Sequence, residues 1–372
     1  MGKKIIRIIL ALLTSAVIVV LVIFLAVKIT PEPPYQEIKT AIQSISAASA
    51  KQASVYSRKL YSEAENALDS AMAVWKRENK KFIFMRNYEK VLEYARLADK
   101  KAREAASLSV QNSNDLEHRL GLKIKSLEET KSKIDEFFGK YPLESETRTR
   151  LSKGKLMLKE AEIDYEKKQL LQANKKLNDA EYLLNSVYEN TLSDIKTWFA
   201  SLSTWKKWVD NAITESGKRK SYLIVIDKFA HKFYLYFAGK LKYEFDAELG
   251  KNWTGDKRIK GDKATPEGRY KIIKKLQGRA TRWYKSLALD YPNSDDVERF
   301  MKEKASGTIS SAANIGGGIE IHGGGGKNTD WTDGCIALTN KNMDIIYPIV
   351  QIGTPVVIVG SLRSLDEIMN EN

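Results

Sequence analysis

Three textures of apolar patterning succeed one another along the chain. The first is continuous: residues 8–27 carry no charge and are almost wholly aliphatic, which as a helix spans about 30 Å of hydrocarbon. The second fills residues 37–217, where apolar side chains recur every three or four positions. Leu60, Ala64, Leu68, Ala71 and Trp75 make one such stripe, Tyr88, Leu92, Ala95, Ala98, Ala102 and Ala105 a second, and Leu120, Ile124, Leu127, Ile134 and Phe138 a third. That period places each set on one helix face. The third stripe stops at Gly139 and Pro142, and the pattern resumes through Leu158, Ala161 and Tyr165, then Leu177, Ala180, Leu184 and Val187. Antiparallel helical hairpins are expected. Residues 58–106 and 147–189 are weakly alike, each a helix, a Lys/Asn-rich turn and a second helix with alanine inside, as in a duplicated hairpin. Trp198, Leu202, Trp205 and Val209 mark a last helix, its aromatic stripe expected to pack on the next domain.

The third texture begins after residue 217. Residues 221–227 (SYLIVID) are apolar and β-branched, and residues 231–250 alternate across a turn at 238–240, so a hairpin follows a strand. A turn at 264–268 leads into another strand, residues 286–291 make one more, Ser294 is expected to cap a short helix over 295–304, and residues 318–323 and 353–359 are two further strands. Short strands with long connections and few helices predict a compact, mostly β domain over 219–361, followed by a tail at 362–372.

Charge places these parts. Lys3, Lys4 and Arg7 precede the apolar run, while Lys28, Pro31, Pro33 and Pro34 follow it without a small-residue cleavage pattern. An uncleaved anchor over residues 1–29 is expected, its short N-terminus in the cytoplasm, with a stiff spacer at 30–36 and the bulk of the chain outside. The net charge of +14, from 61 Lys+Arg against 47 Asp+Glu, attracts polyanions. Export makes these anionic wall polymer or acidic lipid, and nucleic acid is not an expected partner. Whether the helical region is a docking module for an envelope protein or a plain packed bundle stays open.

One cysteine cannot form an internal disulfide, so Cys335 is a buried filler, a dimer link or a working thiol. The glycine-rich run before it fails the phosphate-loop template, since Ile321 and Asn328 stand where glycine and Ser/Thr are needed. His322, Asp333 and Cys335 lack a fourth ligand at metal spacing, so neither metal nor other cofactor is expected. Acyl transfer fits the residues better. Cys335 follows the polar turn Thr332-Asp333-Gly334, and the amides of Asp333, Gly334 and Cys335 can converge on an oxyanion. His322 ends a strand, and a flexible glycine-rich excursion lets the chain return to bring an imidazole beside the thiol. The Gly323 carbonyl is able to orient that ring. On these residues alone, a structural Cys and a structural His brought close by chance is the favoured reading.

The segment IHGGGGKNTDWTDGCIALTN, with DKATPEGRYKI and LALDYPN before it and GTPVVIV after it, closely resembles the catalytic domain of the L,D-transpeptidases, the YkuD family, in the subgroup carrying Asp-Trp-Thr-x-Gly-Cys. The resemblance covers residues 221–360. It implies a mostly β L,D-transpeptidase-like fold, export and peptidoglycan stem peptides as substrate. It further implies Cys335 as nucleophile, His322 as base, the Gly323 carbonyl as the group orienting it, and Thr332, Asp333 and Gly334 as the oxyanion pocket. A thioester at Cys335 followed by aminolysis would form a cross-link or attach a protein; with water as acceptor the same site would be a peptidase or amidase. Trp331, Trp283 and Tyr284 are candidates to line the groove, and Arg282, Arg279 and Lys327 to meet stem carboxylates. Many relatives carry a second histidine two positions before the thiol, where Asp333 stands here, and their interval from His to Cys is longer. The alternative of another class is an envelope scaffold working through the helical region.

Overall fold

The computed structural model describes residues 2–139 and 141–370. Met1 of the expected cytoplasmic tip and the last two residues of the expected tail lie outside the described residues. Internal contacts divide the chain into Met1–Lys125 with Glu160–Leu177, and Ser126–Lys159 with Asn178–Asn372.

In the first unit, α1 (Gly2–Ile29) carries the apolar run, with its aliphatic side chains from Ile5 to Leu25 exposed. Then come α2 (Tyr35–Ala50), which begins inside the expected spacer, α3 (Ala53–Tyr56), α4 (Arg58–Glu78) and the start of α5 (Glu89–Phe138). Alanine makes the interior: Ala41, Ala48, Ala64, Ala71, Ala95, Ala98, Ala102 and Ala105 have no exposed surface. Methyl side chains let helix backbones approach closely. Ser109 Oγ donates to the Lys51 carbonyl and Asn112 Nδ2 to that of Tyr56 (2.7 Å), tying α5 to the ends of α2 and α3. The stripes at 88–105 and 120–138 belong to one helix of 50 residues, because no glycine or proline separates them.

In the second unit, α5 ends at Phe138, as the Gly139 and Pro142 signals require. α6 (Ser145–Glu166) and α7 (Leu170–Phe199) follow, with the end of α6 and the start of α7 (Glu160–Leu177) counted in the first unit; a Cβ at Gly154 would meet Leu184 at 3.0 Å, so glycine permits close approach there. The expected last helix is split: Trp198 lies in the last turn of α7, the helix breaks at residues 200–201, and Trp205 and Val209 lie on α8 (Leu202–Arg219).

Eight strands form one curled sheet in the order β3-β2-β1-β8-β4-β5-β6-β7: β1 (Tyr222–Asp227), β2 (Lys232–Phe237), β3 (Lys240–Asp246), β4 (Gly268–Gln277), β5 (Lys285–Leu289), β6 (Glu320–His322), β7 (Ile336–Ala337) and β8 (Pro355–Val359). β4 explains the curl. Its first residues pair with β8 and its later ones with β5, with a register shift between Ile272 and Lys274, and such irregularities bend a strand. β1 is apolar at successive positions because both faces are covered. Ile224 and Ile226 enter the main core with Phe233, Leu287, Ile321 and Ile336, while Leu223 and Val225 pack with Trp205 and Val209 of α8. The expected aromatic packing onto the β domain is thus observed. A buried polar link reinforces it: Lys228, fully buried, donates to the carbonyls of Gly255 and Thr265 and to Glu267, whose carboxylate also accepts from Trp198 Nε1 (2.8 Å).

α9 (Ser294–Ala305) sits where a short helix is expected, but its cap is Asn293 rather than Ser294. The Asn293 side chain accepts from the amides of Asp295 and Asp296, which it reaches because its own backbone is still extended. α10 (Asn340–Ile349) and α11 (Leu365–Met369) complete the unit, capped by Thr339 and Ser364.

Candidate active site

His322 is the last residue of β6 and Cys335 immediately precedes β7. The two strands are parallel, with Ile321 opposite Ile336 and His322 opposite Ala337. Side chains alternate along a strand. Ile321 and Ile336 therefore enter the core, while His322, Ala337 and Cys335 share the other face, with the thiol diagonal to the imidazole. The glycine-rich excursion closes the intervening loop: Gly323 N donates to the Lys285 carbonyl (3.0 Å), Gly325 N to that of Leu338 (2.9 Å) and Leu338 N to that of His322 (2.8 Å). At Gly323 a Cβ would lie 2.6 Å from Asn340 Oδ1, and there is no room for one.

The imidazole is fixed on one side only. Its Nδ1 lies 2.8 Å from the Gly323 carbonyl, which sets Nδ1 as the protonated nitrogen of the neutral ring. Nε2 is one of few buried side-chain nitrogens or oxygens without a hydrogen-bond partner among the described residues. Trp283 stacks on the ring, centroids 3.9 Å apart at an interplanar angle of 1°, and Trp331 meets it edge-on at 5.8 Å. Burial in this aromatic slot holds the His322 pKa down at about 4; the Gly323 bond opposes the shift, and the Arg282 and Lys327 charges add to it. The Cys335 side chain is half-buried and donates to the Gly318 carbonyl (3.7 Å). Burial pushes its thiol pKa up, against the Glu320 amide and the Arg282 charge, which pull it down. The resting pair is therefore a neutral thiol and a neutral imidazole.

The turn before the thiol is clasped from outside. Thr332 N donates to the Leu249 carbonyl (3.2 Å) and Lys251 N to that of Thr332 (3.0 Å). Thr332 Oγ1 accepts from Gly334 N (3.1 Å) and donates to the Cys335 carbonyl (2.7 Å). The Gly334 amide is thus engaged inside the turn. Gly334 itself has φ 127° and would press a Cβ to 2.6 Å from the Ala264 carbonyl, so only glycine fits.

Of the candidate groove residues, Trp283 and Trp331 lie at the imidazole and touch each other edge-on at 5.6 Å. Arg282 lies over Trp283 and Lys327 over Trp331. Tyr284 is exposed, and its hydroxyl donates to Asp344 (3.0 Å). Arg279 is exposed in a short 3₁₀ turn after β4. Glu248 is a residue the sequence did not point to. One carboxylate oxygen accepts from the successive amides of Gly326 (3.0 Å), Lys327 and Asn328 (2.7 Å), and the other from Trp331 Nε1 (2.7 Å). It thereby holds the glycine-rich loop and the tryptophan against the histidine. No local pattern marks it, because its partners lie some 80 positions onward. Among the described residues no group of three or more His, Cys, Asp or Glu side chains is arranged to hold a metal ion.

Residues 221–358 match the family model described as YkuD, L,D-transpeptidase catalytic domain. Among solved structures, Bdellovibrio bacteriovorus Bd1075 is 21% identical, with a TM-score of 0.31, covering 40% of this chain and 52% of that one. An L,D-transpeptidase from Mycobacterium smegmatis is 16% identical, with a TM-score of 0.25, covering 37% and 58%. The LD transpeptidase LdtMt1, in complex with imipenem, is 18% identical, with a TM-score of 0.23, covering 37% and 59%. The chain thus spans between half and three-fifths of each of these. No curated protein matches the chain. By its match and its curled sheet, the segment 221–358 is an L,D-transpeptidase catalytic domain of the YkuD type.

Proposed function

We propose that this chain is a membrane-anchored, extracytoplasmic cysteine acyltransferase acting on peptidoglycan stem peptides, with Cys335 as nucleophile and His322 as base. One observation carries the proposal. A half-buried thiol shares a sheet face with a buried imidazole whose Nδ1 is engaged by a carbonyl and whose Nε2 has no hydrogen-bond partner among the described residues.

In this mechanism, rotation about the Cys335 Cα–Cβ bond exchanges the Gly318 carbonyl for Nε2 of His322. As sulfur attacks a stem carbonyl, its proton passes to Nε2. No standing ion pair is required, since burial disfavours both charged forms. The oxyanion is met by the amides of Asp333 and Cys335. Thr332 acts by bracing the turn through the Gly334 amide and the Cys335 carbonyl, and such preorganised donors contribute about 3 kcal/mol each. Collapse breaks the C–N bond, the imidazolium protonates the departing D-alanine amine, and a thioester remains. An acceptor amine then attacks, gives its proton to His322, and displaces the sulfur. Trp283, Trp331 and Tyr284 line the donor groove, and Arg282 meets a stem carboxylate. α1 anchors the chain, with Lys3, Lys4 and Arg7 on the cytoplasmic side.

Incubating the protein with isolated sacculi and weighing the released muropeptides tests the reaction. Cross-linked dimers that have lost D-alanine are expected, and hydrolysed stems alone would make the enzyme a peptidase. Equal activity from Cys335→Ala would overturn the assignment. Intact mass after imipenem exposure should show one adduct on the native chain and none on Cys335→Ala.

A further inference from the structure

The connection between α4 and α5 directs its polar groups inward and its apolar groups outward. Glu78, buried at the end of α4, accepts from Lys81 Nζ (2.8 Å) and from the Asn87 amide (3.1 Å). Arg86 donates to the carbonyls of Asn79 and Lys81 (3.1 Å each), and the Tyr88 hydroxyl to Asn79 Oδ1 (2.7 Å). These bonds give the loop a defined shape. It is nonetheless crowned by four consecutive apolar side chains: Phe82, Ile83, Phe84 and Met85 are 69%, 41%, 46% and 72% exposed, and the two phenylalanine rings stand 5.7 Å apart. Lys80, Lys81 and Arg86 flank them. A contiguous apolar tip rimmed by cations, on an otherwise alanine-packed bundle, marks a contact surface.

Its position names the partner. Trp75, one turn before the end of α4, meets Tyr35, the first residue of α2, with ring centroids 5.2 Å apart, and Ile38 packs with Ala71, Tyr88 and Val91. The tip therefore lies at the end of the bundle where the chain enters from α1. From Ile29 to Tyr35 the connection extends at most about 20 Å. Tyr35 is itself 62% exposed there, as aromatic residues are at a bilayer boundary.

We infer that residues 80–86 form a membrane-interface contact. Phe82, Ile83, Phe84 and Met85 enter the boundary between headgroups and acyl chains, and Lys80, Lys81 and Arg86 meet anionic headgroups. The inference rests on α1 as the anchor, and together the two attachments hold the first helical unit at the bilayer surface instead of leaving it tethered by the proline spacer alone.

The test uses the full chain with Cys335→Ser, which removes the only native thiol, reconstituted in vesicles of phosphatidylglycerol and phosphatidylcholine. An environment-sensitive fluorophore is placed in turn on Phe84→Cys, on Val19→Cys within α1, and on Leu122→Cys, an exposed apolar position elsewhere on α5. Brominated lipid should quench the labels at 84 and 19 and spare that at 122, and quenching at 84 should fall about threefold in phosphatidylcholine alone. Quenching at 19 with the label at 84 behaving like that at 122 overturns the inference while leaving the anchor in place. Quenching at 84 without 19 supports the loop contact and removes the anchor. Quenching at neither overturns both. A label at 84 that is shielded from aqueous iodide but untouched by brominated lipid means that a protein covers the loop, and this too overturns the inference.

Discussion

The indole of Trp283 lies parallel to the imidazole of His322, with centroids 3.9 Å apart and planes within 1°. This stack removes water from one face of the ring, and burial is the main reason the histidine stays neutral down to about pH 4. Replacing Trp283 by alanine should raise the His322 pKa towards its ordinary value near 6.5. With His322 as the proposed base, the acid limb of kcat/KM should then move from about pH 4 up towards pH 6. A limb unchanged in Trp283→Ala would mean the indole does not set the base.

Stability should depend on the same group. Between pH 6.5 and pH 4 an unfolded chain protonates this histidine and the folded chain does not, so stability falls as the pH drops through that window. The contribution of His322 is about 3 kcal/mol over the whole interval. Denaturant titrations at pH 7 and pH 4.5 should show a smaller acid loss for His322→Gln than for the native chain.

Glu248 joins three loop amides and Trp331 through a single carboxylate. Charge-assisted hydrogen bonds are worth about 1.5–3 kcal/mol, so Glu248→Ala should lower kcat/KM by about tenfold or more. The amides of residues 326–328 should exchange with solvent faster. Native exchange rates there would show that the loop does not depend on this residue.

Trp205 of α8 fills the surface of β1 and β8, and a Cβ at Gly360 would lie 2.2 Å from its ring. Gly360→Ala should expel the ring. Trp205→Ala should cost about 3–5 kcal/mol, as for large buried aromatics. Hydrogen exchange of β1 and β8 amides is the readout, and unaltered protection in both variants would show that α8 is dispensable to the sheet.

Much of this was legible in the residues, for reasons that differ by element. The strand at 222–227 and the hairpin after it showed as apolar and alternating runs, whereas the two stripes of α5 did not announce that they form one continuous helix through Gly121. The Asn293 cap was missed by one position, since asparagine and serine both accept from helix amides and only the backbone angles choose between them. The split between α7 and α8 left no trace because Ala200 favours a helix and Ser201 does not break one. α10 was not foreseen: residues 340–349 mix β-branched side chains with Pro348, and only the Thr339 cap distinguishes them from a strand.

The sequence by itself determined the apolar N-terminal helix, the alanine-lined helices, the alternating strands, and the candidacy of His322, Gly323 and Cys335, because each depends on spacing within a few residues or on a short motif. Only the tertiary structure decided that β6 and β7 pair in parallel so that thiol and imidazole share a face. It alone brought Glu248 beneath a loop some 80 positions away and laid Trp283 on His322. Those relationships follow from strand register and loop closure, which sum weak contacts over the whole domain and leave no periodic trace along the chain.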